Sequence, residues 1–588
     1  MSGSPFSFRL RASAAWGLVL AAPALWVGVL IWRNGVDVPF WDQWDGICPL
    51  FEKMAAGTLG PADFFALHNE HRPFFPRLLL FGLARLTGWN IRAELGLIWL
   101  LVVVCALNLR RLAQLTGWSG VPAGRWLLLA AIILLFTPLQ FENWLLGFQV
   151  VLVLPVFCLT AALIVAQLRS PASFIGTMVL STISTFSVAG GFFCWLLCLP
   201  LLLEGDGGSA AAPHRRTWWA LWIGGFALNL ILYFHGYHGP AGQADPLLSL
   251  THPAHLVEFG LAFLGAPFAF GSSLAATTMA VAAGFTLLLL FVFCLGYVVR
   301  RRVASVRRRT LPWLLLAAAA VINAGLSACG RSATGLSQAL ASRYVIFSVL
   351  LPIGLLFALA VVWEDWRGRH PERTSGPRNT LICLTTAFVL MHLSGAFVCL
   401  RAWTDLRHVR LRAKALVELV NQIDAPADLA LYVHAEVSPL KGRVNLLAGL
   451  GYLRPGLIGS PFIRDLTDPA HPGGAANGEL QQAGRNSAGQ LVLSGWAILP
   501  ERTWAADAVL LTYDDPQYGP RIFALALGGS PHPDLATRFQ VADFALAGWT
   551  RTFDPGQLPP GPQILRAWAF DPENGRAYAL AGSVHWQP

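Results

Sequence analysis

Two aspartates three residues apart, Asp42 and Asp45 in PFWDQWD, are the residues of this chain best suited to chemistry. If WDQWD opens a short helix, that spacing projects both carboxylates on one side, with Trp41 and Trp44 able to lie at a membrane interface. One carboxylate can then act while the other orients. Moving a sugar from a phosphate leaving group to a hydroxyl needs a carboxylate to take the acceptor proton and cations to hold the departing phosphate. The structural alternative is that Asp42 caps a helix and Asp45 pairs with Lys53.

The cations are close by in sequence. HNEHRPFFPR places His68, Glu70, His71 and Arg72 together, and Arg77, Arg85 and Arg92 follow. Arg331 and Arg343 border a second polar connector, GRSATGLSQALASRY, with Tyr344 beside Arg343. The planar, permanently charged guanidinium suits a lipid phosphate or pyrophosphate, whereas headgroup snorkelling or pairing with Glu70, Glu94 or Asp63 would be structural uses. His68 and His71 lack the HExxH spacing of a helical zinc site, yet could share a divalent cation with Asp42 or Asp45; phosphate contacts or bonds within the loop are simpler roles. No cofactor is otherwise implied. Two further segments place polar groups where spans meet: QFENWLLGFQ, with Gln140, Glu142, Asn143 and Trp144 as a belt residue, and FHGYHGP, with Tyr233, Tyr237 and His238. In FSVAGGFFCW, Gly190 and Gly191 separate two short apolar runs that could dip into a cavity.

The elements that must position these groups are membrane helices. Of the 588 residues, 55% are hydrophobic and only 13% charged, and apolar runs repeatedly reach the roughly 20 residues that a bilayer requires. About eleven spans are expected, near 13–32, 93–109, 125–140, 147–168, 172–187, 190–204, 217–234, 275–299, 311–329, 343–363 and 379–400. The net charge of +10 does not point to nucleic acid, because arginines cluster in alternate connectors: Arg110, Arg111 and Arg125; Arg169; Arg215 and Arg216; Arg300 to Arg302 with Arg307 to Arg309; Arg367 to Arg378. With the N-terminus cytoplasmic those connectors are inside. The scheme requires that His255 to Phe270 not cross, as an interfacial or re-entrant helix, and it puts the acidic loop and the C-terminal part on the outer face. No cleavable signal is expected, since the first apolar run is of span length.

The expected fold class is thus a polytopic α-helical membrane protein with a C-terminal β-sandwich-like domain. Residues 1–402 form the membrane domain with its outer loop 36–92, residues 403–487 an amphipathic helix and linker, and residues 488–588 the β-rich part. The sandwich rests on QLVLSGWAIL, DAVLLTYDD, RIFALAL, QILRAWAF and AYALAGSV, separated by turn residues. Trp496, Trp504, Trp549 and Trp568 are either core or glycan contacts. The nine cysteines imply no disulfide framework.

One helix, a long outer loop with acidic residues at its start, many further helices and an outer soluble domain: this order resembles the integral-membrane glycosyltransferases of the GT-C superfamily, which include protein O-mannosyltransferases and lipid A aminoarabinose transferases. The local likeness is PFWDQWDGICPLFEKMAAGTLGPADFF, similar to their first loop. The resemblance implies a sugar donor carried on polyprenyl phosphate, Asp42 as catalytic base with Asp45 second, outer arginines on the donor phosphate, and direct inverting displacement. WDQWD replaces the adjacent acidic pair of the mannosyltransferases. The implied setting is a bacterial inner membrane with the soluble part periplasmic, and the implied partners are membrane lipids and a glycan or lipid acceptor. Two other classes share the outer arginines: a flippase of lipid-linked sugars, and a polysaccharide polymerase or ligase leaning on Arg and His.

Overall fold

The computed structural model describes residues 5–168, 170–203, 212–239, 251–373, 375–467 and 469–587. Arg169 lies outside them, and of the arginines expected inside, the side chain of Arg215 is also not described. The chain divides into two compact units: Met1–Gly35, Leu59–Gly82 and Arg92–Trp403 form the first, and Val36–Thr58, Leu83–Ile91 and Thr404–Pro588 the second. The acidic loop is therefore shared out. Its beginning belongs with the C-terminal part and its HNEHR segment with the membrane helices.

Among the described residues of the chain, nine helices are long and apolar enough to cross a membrane. They correspond to nine of the expected spans. The other two, Pro171–Thr185 and Ala189–Leu203, are shorter, because the Gly190–Gly191 turn interrupts what would otherwise be a full-length apolar run. Gly147–Leu168 and Ser342–Arg369 are apolar on all sides and buried over most of their length, so they form the centre of the first unit. Ala15–Asn34 and Arg216–Phe234 turn most of their side chains outward, as lipid-facing helices do. The segment expected not to cross is the 13-residue helix Pro253–Gly265 followed by a tight turn. It lies directly against Leu274–Arg301: a Cβ on Gly265 would stand 1.8 Å from the Ala280 carbonyl, and one on Gly284 1.9 Å from that of Leu261. Only glycine allows backbones to approach so closely.

In the second unit eight strands, β1 (Gly478–Arg485), β2 (Leu491–Ala497), β3 (Ala508–Asp515), β4 (Gly519–Ser530), β5 (Gly548–Phe553), β6 (Gln563–Asp571), β7 (Arg576–Ala579) and β8 (Val584–Trp586), form one antiparallel sheet in the order β1-β2-β5-β4-β3-β6-β7, with β8 on β6. This corrects the expected sandwich. The long β4 bends past Gly528 and Gly529 and pairs through Ser530 with Gly548 of β5, joining what would have been two sheets. The sheet then curls until Leu480 of β1 donates to Ala581, just past β7, at 2.9 Å, which leaves it nearly a barrel around Leu493, Leu511, Trp549 and Leu565. Strand β1 lies inside the stretch expected to be linker. Its sequence, GELQQAGR, buries little beyond Leu480, so its composition is that of an exposed edge.

Candidate functional site

The first unit holds two arginine–carboxylate pairs at the ends of the connector between its helices Ala304–Thr334 and Ser342–Arg369. HNEH folds as a tight turn, His68 and His71 exchanging both backbone hydrogen bonds while Asn69 takes a left-handed conformation (φ 52°) that suits asparagine. The turn presents the Glu70 carboxylate to Arg331 at 2.8 Å, with His71 Nε2 at 3.8 Å. His71 Nδ1 accepts from the Ala189 amide, which leaves the ring proton on Nε2, facing Glu70. Burial raises the Glu70 pKa, but the nearby His71 and Arg331 outweigh it and hold the carboxyl below its ordinary 4.5.

Glu142 makes the second pair. Its Oε2 accepts from the Ser342 hydroxyl at 2.8 Å and from the Arg343 amide at 3.0 Å, while Oε1 stands 3.7 Å from the Arg343 guanidinium. A carboxylate on the first amides of a helical run is favourably placed by their dipoles. Asn143 ties the same corner by donating to the Arg343 carbonyl, and the Tyr344 ring lies 5.3 Å from the Arg343 guanidinium carbon. Ser342 is a site residue that spacing did not suggest, since a serine in ASRY carries no signal of its own.

Arg72 is used differently. Its buried guanidinium donates to the carbonyls of Phe65, Tyr233 and His235, so it splints the loop rather than facing outward. Trp144, an interfacial belt residue only in the alternative reading of this segment as a plain turn, is fully buried and donates to the Thr137 carbonyl. His238 is exposed. Gly190 and Gly191 of the Ala189–Phe192 turn line a small, open recess with Ser184, Asn323 and Phe347, mostly apolar.

Both candidate bases are in the second unit, where they diverge. Asp42 is the first residue of the short helix Asp42–Gly46 and is exposed; the N-cap position is Trp41. Asp45 accepts from His434 Nε2 at 2.7 Å and from Arg443 at 2.9 Å, instead of pairing with Lys53. Arg443 also binds Glu52 at 3.2 Å and the Trp44 carbonyl at 3.0 Å. The His434 hydrogen bond, helped by Arg443 and opposed by burial, keeps the Asp45 pKa below its ordinary 3.8. The same bond raises His434 above 6.5. Trp44 is wholly buried, not interfacial. Further along, Arg410 donates to the Val36 and Val38 carbonyls at 2.7 and 3.0 Å, so the start of the loop is tied down as well.

The four tryptophans of the sheet region divide into two buried and two half-exposed. Trp496 and Trp549 are core, Trp568 donates to Thr512, and Trp504 has the guanidinium carbons of Arg407 and Arg502 each 5.0 Å from its ring. Asp42 and Asp45 fall in one unit and His68 and His71 in the other, and among the described residues no group of three or more His, Cys, Asp or Glu could hold a metal. Compared with known proteins, the chain matches no family model, no curated protein and no solved structure.

Proposed function

We propose that this membrane protein is a glycosyltransferase that moves a sugar from a polyprenyl-phosphate donor to a cell-envelope glycan or lipid acceptor at the periplasmic face of a bacterial inner membrane. The observation that carries the reading is the division of labour between the two aspartates. Asp45 is bound by His434 and Arg443 and titrates low, which makes it a poor proton acceptor; Asp42, one helical turn earlier on the loop that Asp45 pins, is the more exposed of the two.

The chemistry assigned to these groups balances simply. The acceptor hydroxyl oxygen bonds to the anomeric carbon as the bond from that carbon to the phosphate oxygen breaks, and Asp42 takes the hydroxyl proton. Polyprenyl phosphate leaves with the bonding electron pair, and the configuration inverts. Arg331 and Arg343 are the cations for the phosphate, since each is partly exposed and already paired with a carboxylate that an incoming anion can relieve. Arg72 is excluded from that role by its three carbonyl bonds.

The test is transfer by the full chain in detergent from a panel of polyprenyl-phosphate sugars to a membrane lipid and glycan extract, with Asp42→Asn beside the wild type. Loss of transfer in a variant that still binds polyprenyl phosphate is expected. Equal turnover by both removes Asp42 from the reaction. Binding of polyprenyl phosphate with no transfer by the wild type selects the flippase or the polymerase and ligase reading, which the arginine pairs alone would serve.

A further inference from the structure

Trp41 has a backbone conformation that its packing does not explain. Its φ is 47° and ψ is −115°, a region that a bulky side chain avoids. The chain contains another tryptophan at φ 47°, Trp89, but that indole is 1% exposed and packs against Phe51, so the core benefits from its placement. The Trp41 indole is 48% exposed, and Trp44, three residues on, is fully buried.

The strained residue is held from several sides within the second unit. The Trp41 amide donates to the Val433 carbonyl at 3.3 Å and the Phe40 amide to Gln43 Oε1 at 3.1 Å. Before it, Arg410 fixes Val36 and Val38; after it, His434 and Arg443 fix Asp45. These bonds hold an exposed tryptophan at the position immediately before Asp42, which is also exposed. Strain retained by such surroundings is characteristic of binding sites.

An aromatic face next to a carboxylate is the chemistry that recognises a pyranose ring. The C–H groups on one face of the sugar lie on the indole, and its hydroxyls donate to the carboxylate. A bare phosphate would be repelled by Asp42, and an acyl chain would leave that charge desolvated. We propose that Trp41 is the stacking residue of a sugar subsite, with Asp42 accepting a hydroxyl of the stacked ring. Given the transferase reading, on which this assignment of the ring rests, that ring is the acceptor, so the acceptor is a glycan or glycolipid whose reacting hydroxyl sits on a pyranose.

The experiment is saturation-transfer NMR on the full chain in nanodiscs, with methyl hexopyranosides and methyl pentopyranosides as probes. Three variants are compared: Trp41→Gly, which suits the positive φ while removing the indole; Trp41→Phe, which keeps an aromatic ring; and Asp42→Asn. The expected result is saturation of protons on one ring face in the wild type, retained in Trp41→Phe and Asp42→Asn and reduced at least about fivefold in Trp41→Gly. In the transfer assay, Trp41→Gly should raise the acceptor KM roughly tenfold with kcat nearly unchanged. Equal saturation in Trp41→Gly, or none in the wild type with any glycoside, overturns the subsite. The two readings fail separately: sugar saturation that depends on Trp41, in a protein that transfers nothing, keeps the subsite and removes the transferase.

Discussion

The ion pairs that hold Glu70 and Glu142 in the membrane unit differ from the one that holds Asp45 in the second unit in which member faces outward. In the membrane unit the arginine is the more exposed member, Arg331 at 30% against Glu70 at 26% and Arg343 at 37% against Glu142 at 24%. At Asp45 in the second unit it is the carboxylate, 41% exposed against 13% for Arg443. A pair whose cation faces outward can exchange its carboxylate for an incoming anion; one whose cation is buried serves as an anchor, because stripping its partner would leave a desolvated charge. Arg331 and Arg343 are thus placed to offer positive charge to a ligand, whereas Arg443 uses its charge to fix the loop that carries Asp45.

The largest test of that contrast is on the carboxylates. Asp42→Asn should lower kcat by about 10²- to 10⁴-fold, the range for loss of a general base, without moving the unfolding midpoint. Asp45→Asn should act mainly on stability. A catalytic loss confined to Asp45→Asn would exchange the roles of anchor and base. Next in size is the comparison of Arg72 with Arg343 inside the membrane unit. Arg72→Met leaves buried carbonyls without a donor and should cost about 3 kcal/mol in denaturant unfolding, with donor KM preserved in the folded fraction. Arg343→Ala should do the reverse, raising donor KM about tenfold with little loss of stability. Should Arg72→Met shift KM while folding normally, the splint and ligand roles would have to be reassigned.

What was legible in the sequence was what local pattern determines. Apolar length marked the membrane helices, and the need to keep the arginines on one side singled out His255 to Phe270, where the 13-residue helix Pro253–Gly265 ends in a tight turn, too short to rank among the candidate spans. The misses share a physical cause in contacts between residues distant in the chain. Nothing near Asp45 announces that His434 and Arg443, nearly four hundred residues later, will bind it. Arg72 looked like Arg331 as a residue type, and only the fold supplies the three carbonyls that occupy it. Strand β1 was hidden because an edge strand with one buried leucine has the composition of a linker. A single-sheet closure likewise depends on the Gly528–Gly529 bend, which alternation alone does not reveal.

The smallest expected effect is also the most specific to the anchor. Asp45 titrates below its ordinary 3.8 in the folded chain, so its contribution to stability is present above that value and is lost as pH falls through the lower folded pKa. His434 titrates above 6.5, so its contribution is complete below 6.5 and is lost as pH rises through the higher folded pKa. The clasp is therefore strongest between about pH 4 and 6.5 and weakens toward alkaline pH. Because Asp45 is substantially exposed, solvent screens the pair and the change should be modest. Unfolding midpoints measured from pH 5 to 9 should fall for the wild type above pH 6.5, and His434→Gln should reduce that fall from a lower plateau, the His408–Asp507 pair supplying the remainder. A His434→Gln variant with the wild-type slope would show that the imidazole–carboxylate bond does not hold the loop, leaving Arg443 as its anchor.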